Sequence, residues 1–131
     1  MEQWYISVLN EVTPDAPVAF SPFMSQETGE PIAFGTGSAW AIPSRAKNKT
    51  AACRFIKAMT TKDTWMAAAK TRAESRKESG RVFIGLLTGN VAADKEIRET
   101  YVTSTGDPKW DAAIDAQKAL DEGWAKVDAQ R

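Results

Sequence analysis

The 131-residue sequence contains no histidine at all. Histidine is the usual physiological-pH acid or base and a frequent metal ligand, so its absence excludes Ser-His-Asp triads and histidine-held zinc sites. Cysteine is nearly as scarce. Cys53 stands alone, which excludes an internal disulfide and a CxxC redox pair, and no histidine is present to activate its thiol. The expectation for Cys53 is a small buried hydrophobe. No apolar run approaches the roughly 20 residues that span a bilayer. The opening Met1-Glu2-Gln3-Trp4 carries no basic region followed by an apolar stretch, so no secretory signal is read there.

What is present is ordinary in bulk and uneven in detail. With 43% hydrophobic and 26% charged residues, the composition is that of a globular chain long enough for one domain. The 17 basic and 17 acidic groups cancel, yet they are segregated. Residues 45–81 hold 11 basic and 3 acidic groups, net +8, whereas residues 1–44 hold five acidic groups and no basic one. Residues 82–131 bring the sum back to zero with six basic and nine acidic groups. The basic segment lacks a glycine-rich loop and interleaves alanine with its charges, which predicts a solvated helical face and no nucleic-acid partner. Five tryptophans, Trp4, Trp40, Trp65, Trp110 and Trp124, are many for this length and point to core, interface or ligand stacking.

Periodicity organises the chain. The stretch WYISVLNEV (4–12) places Trp4, Tyr5, Val8, Leu9 and Val12 on a helical stripe that Pro14 and Pro17 end. APVAFSPF (16–23) reads as an extended strand confined to an edge or a crossing by Pro22. Residues 27–31 form a tight reversal, after which 32–43 run extended, with Gly35 and Gly37 marking close backbone approach and Ser38, Trp40 and Ile42 sharing a face. Asn48 is an N-cap for a helix with Ala52, Phe55, Ile56 and Met59 along its stripe. Thr60 or Thr61 caps a third helix through Trp65 and Ala69, which Gly80 stops. RVFIGLL (81–87) is a continuous apolar run suited to a buried strand or extended segment. A fourth helix spans 92–102, and Asp107-Pro108 opens a last helix of roughly twenty residues with Trp110, Ile114, Gln117, Leu120, Trp124 and Val127 along it. The sum is an α/β or α+β arrangement richer in helix than in strand, with no internal repeat.

Taken in order, these pieces carry a resemblance. The methionine and tryptophan opening a helix, the APVAFSPF strand, the Gly29-Glu30-Pro31 turn, the glycine-rich stretch closing on Ala41-Ile42-Pro43, the Lys47-Asn48 cap before Ala51-Ala52 and Phe55-Ile56, and the GLLTGN turn together resemble the carboxy-terminal part of an extracellular, sugar-type (family 1) solute-binding protein of an ABC importer. The likeness covers residues 1 to about 103. It implies an α/β, helix-rich carboxy-terminal part of a two-lobed, type II periplasmic-binding-protein-like fold, so that 1–131 is a single domain or a fragment of such a protein. It implies an extracellular or periplasmic location, a sugar or oligosaccharide ligand, and a transporter permease as partner where the full receptor is present. The candidate ligand-binding residues are Trp4, Tyr5, Gly37, Ser38 and Trp40. Trp4 matches the aromatic at a helix start facing the family's cleft, with core packing as the other reading. Family members commonly place a tryptophan directly after the glycines; here Ser38 stands there and Trp40 follows on the same strand face. Tyr5 offers a hydroxyl to a sugar.

Three functions follow for weighing. A carbohydrate-binding module needs no bond chemistry, in keeping with the missing residue types, and no cofactor. An enzyme would have to use carboxylates such as Glu27, Glu30, Asp94, Glu96 and Glu99, whose places on a turn and a polar helix face predict solvated, non-catalytic groups. An interaction protein would oligomerise, most simply as a homo-oligomer, to cover surface that a missing lobe leaves open.

Overall fold

The computed structural model describes residues 3–32 and 37–128, with the side chains of Gln3, Trp4 and 123–128 outside the description. Its helices are α1 (Gln3–Val12), α2 (Lys49–Met59), α3 (Lys62–Glu78), α4 (Val91–Tyr101) and α5 (Pro108–Asp128). Helix-rich describes the chain well. The expected strands do not form: among the described residues the β pairing consists of a single bridge, Met24 to Pro31. Residues 16–23 run as irregular chain, because Pro17 and Pro22 each remove a ladder donor and no neighbouring strand lies alongside. The reversal after them is as expected. Ser25 N–H donates to the Glu30 carbonyl at 2.8 Å, Ile32 N–H donates to the Phe23 carbonyl at 2.7 Å, and Gly29 takes the positive φ of 70° that the turn needs.

Local signals set the helix ends. Asn48 Oδ1 accepts from Ala51 N–H at 3.0 Å to start α2, and the Thr61 hydroxyl accepts from Thr64 N–H to start α3. After α3, Gly80 adopts φ 67° while its N–H donates to the Lys77 carbonyl and Arg81 N–H donates to the Arg76 carbonyl. That is a Schellman ending, which satisfies two otherwise orphaned carbonyls. Asn90 caps α4, and Asp107 accepts from Lys109 N–H to open α5 ahead of Pro108 in the first turn.

Two apolar clusters form around the extended run 81–87. Val82 and Ile84 pack with Ile6, Trp110 and Ala113, drawing α1 and α5 together. Phe83 packs oppositely, with Ala69, Ala93 and Ile97, between α3 and α4. Alternate side chains thus enter alternate clusters, as period-two extended backbone dictates. The expectation of a buried extended run holds for Val82, Phe83 and Ile84, whereas Arg81 and Leu87 are exposed and, among the described residues, no strand pairs with the run.

Three further expectations are corrected by burial. On α1 Ile6 and Asn10 are buried and Leu9 of the expected stripe packs half-buried on the same cluster, whereas Tyr5, Val8 and Val12 are exposed; the helix is turned so that Asn10 meets the backbone of Val82. On α2 no residue is buried, with Phe55 and Met59 exposed and Ala52 and Ile56 only half-covered, because among the described residues it packs on α3 and only the edge-on ring of Trp40 meets its stripe, at Phe55. Cys53 is exposed for the same reason: it sits on this uncovered helix. By contrast Trp110 is buried as its spacing predicts, and Trp124 lies outside the described side chains.

Candidate functional site

Trp40 lies in extended chain just before the Pro43-Ser44 turn that leads into α2, and its residue is 57% exposed. The Asn48 cap fixes where α2 begins, and Phe55 of its second turn meets Trp40 with ring centroids 5.6 Å apart at 82°. An edge-to-face contact of this kind holds an indole without covering both its faces. Phe55 is itself 53% exposed, so the pair is an aromatic ledge on the surface. The ledge includes a residue that the sequence reading assigned to packing.

The other candidates are placed as follows. Ser38 and Gly37 are exposed in the same stretch as Trp40. A Cβ added at Gly37 would meet nothing within 4 Å, so close approach does not explain this glycine, and Gly35 lies outside the described residues. Tyr5 is 40% exposed on α1. The side chain of Trp4 lies outside the described residues. Neither described surface cavity is lined by Tyr5, Gly37, Ser38 or Trp40.

The acidic residues named from the sequence serve mainly structural ends. Asp94 Oδ1 accepts from Thr88 N–H at 2.9 Å and from its hydroxyl at 2.6 Å, tying the 88–90 turn to α4. Glu96 pairs with Lys62, and its carboxylate holds that ammonium above the usual lysine value, chiefly through their hydrogen bond. Glu99 reaches Lys95 one turn away. Glu27 and Glu30 are exposed at the turn. Among the described residues no cluster of three or more acidic or cysteine side chains is placed to hold a metal ion.

One cavity is a shallow pocket at the start of α5, where Asp111 accepts from Ser104 Oγ at 2.6 Å and from Thr105 N–H at 2.7 Å. Those bonds hold its carboxyl below the ordinary aspartate value. They also use the carboxylate internally. The other is an open groove lined by residues 83–87, by Ser7 of α1 and by Arg72 and Arg76 of α3. Arg76 leaves the solvated face expected of α3 and donates through Nη1 to the Val82 carbonyl at 3.3 Å. Burial holds its guanidinium below the usual arginine value, Arg72 and Arg81 add to that, and Glu11 opposes it. Asn10 and Arg76 were missed in the sequence because a polar residue on a helix gives no sign of a backbone partner brought from afar.

Among the described residues no helix is long and apolar enough to cross a membrane. No protein-family model matches the chain, and no curated protein or solved structure matches it either.

Proposed function

We propose that the chain is a carbohydrate-binding component of an ABC importer's receptor, the carboxy-terminal part of a two-lobed, type II periplasmic-binding-protein-like fold acting outside the cell or in the periplasm. The observation that carries this reading is the Trp40 indole, exposed and braced edge-on by Phe55. Sugars present apolar C–H faces ringed by hydroxyls, and a braced indole stacks on such a face while neighbouring hydroxyls such as Ser38 take the polar rim. This is a binding reading and involves no bond chemistry.

Titration calorimetry with a panel of mono- and oligosaccharides tests it. Saturable heat at millimolar ligand is expected, with Trp40→Ala weakening binding about three- to tenfold, the worth of one aromatic contact. Trp40 is exposed, so the variant folds and its circular dichroism matches the parent. No heat with any sugar overturns the reading.

A second reading is an interaction domain that self-associates without binding sugar. The uncovered stripe of α2 favours it, since a helix with Phe55 and Met59 exposed and no buried residue presents an apolar face. Sedimentation at micromolar concentration separates the two, because only this reading requires a particle larger than a monomer.

A further inference from the structure

Within the run 81–87, Val82, Phe83 and Ile84 are buried, Gly85 and Leu86 are half-buried, and Leu87 is exposed beside the groove. Val82 has both backbone groups satisfied, its N–H by Asn10 Oδ1 at 2.8 Å and its carbonyl by Arg76 Nη1. Beyond it, among the described residues, no hydrogen bond reaches the backbone N–H or carbonyl groups of Phe83, Ile84, Gly85, Leu86 or Leu87, and pairing resumes at Thr88 N–H. Backbone groups in partly buried segments are almost always paired. A row of them left open beside a groove offers donors and acceptors with which the backbone of an extended peptide can pair.

The run has one irregularity. Gly85 takes φ 99°, a conformation glycine adopts without strain, and a Cβ there would stand 3.6 Å from Val102 Cγ2. Phe83 and Ile84 precede it and Leu86 and Leu87 follow it along the groove.

Charge selects the partner. The flanking Arg72 and Arg76, with Arg81 nearby in sequence and acting on Arg76, concentrate positive charge at one side of the groove, with Glu11 as the counter-charge, itself bridged to Arg81 at 3.1 Å. A second copy of RVFIGLL would bring a further arginine and no carboxylate. We infer that the groove beside residues 83–87 docks an extended, carboxylate-bearing peptide segment of a partner protein by strand addition, its backbone pairing with Phe83–Leu87 and its acidic side chains meeting Arg72 and Arg76.

The inference is independent of sugar binding at Trp40 and is tested separately. The full chain is incubated with three eight-residue probe peptides: alternating Glu-Val, alternating Lys-Val, and the Glu-Val peptide with proline replacing two valines. Amide hydrogen exchange is then read at residues 83–87. The Glu-Val peptide is expected to slow exchange there by about tenfold, as pairing of open amides does, while the other two leave it unchanged. Arg72→Glu, an exposed residue with no described hydrogen bond or ion pair, should abolish the protection without altering the circular dichroism of the free chain. Equal protection by the lysine peptide, no protection by any peptide, or protection that rises with protein concentration alone overturns the inference, the last in favour of self-association.

Discussion

Asn10 and Val82 lie 72 positions apart in the chain and are joined by one buried hydrogen bond, from the Val82 N–H to Asn10 Oδ1 at 2.8 Å. This bond ties α1 to the extended run between α3 and α4. Replacing Asn10 with alanine leaves a buried N–H with no acceptor, which costs about 1–3 kcal/mol. Urea denaturation should show that loss, and Asn10→Asp, which keeps the acceptor, should recover part of it.

Ile97→Ala and Phe55→Ala should part sharply. Ile97 is fully buried, so truncation opens a cavity and removes about 2–5 kcal/mol. Phe55 is 53% exposed on a helix with no buried residue, and its truncation, which removes the edge-on contact with Trp40, should cost only about 0.5–1.5 kcal/mol. Comparable losses at both sites would mean that something covers α2 in solution.

Gly80→Ala tests the end of α3. The position needs φ 67°, and a Cβ there strains the backbone although it would touch nothing within 4 Å. A loss of about 1 kcal/mol is expected from the left-handed conformation alone, measured by thermal or urea unfolding.

Asp111 makes the start of α5 sensitive to acid. Its folded carboxyl is held below its ordinary value of 3.8 by the Ser104 and Thr105 hydrogen bonds, so the ionised form is favoured by folding. The stabilisation is therefore fully present above the ordinary aspartate range and is lost as pH falls through the lower folded value. The Thr105 amide resonance followed by NMR should keep its position down to about pH 4 and move below it, and Asp111→Asn should remove that transition.

Cys53 should react completely with a thiol reagent while the protein is folded, because the residue is exposed. Modification that required denaturant would place a cover over α2.

The helices were legible in the sequence because their determinants are local. Asn48, Thr61, Gly80 and Asp107-Pro108 act within a few residues of the turn they start or stop, and each does what its spacing predicts. The strand expected at 16–23 was misread at the point where locality ends. APVAFSPF has strand composition, but a strand exists only with a neighbour, and that neighbour cannot be read from the segment itself. Burial failed in the same way on α1 and α2: the stripe was visible, while whether another element would cover it, or whether Asn10 would displace an apolar residue from the covered face, depends on contacts distant in sequence. At the candidate site, Trp40 and Ser38 were read as neighbours on one face of an extended stretch, and the Phe55 brace was not legible, since it comes from a helix read as packing inward.

Val82, Phe83 and Ile84 are consecutive, yet the first and third belong to one apolar cluster and the second to the other. Neither cluster can dissolve without withdrawing side chains from a segment that the other still grips. The two clusters are therefore expected to melt together, as one cooperative transition reported alike by Trp110 fluorescence in the first and by helix content between α3 and α4 in the second.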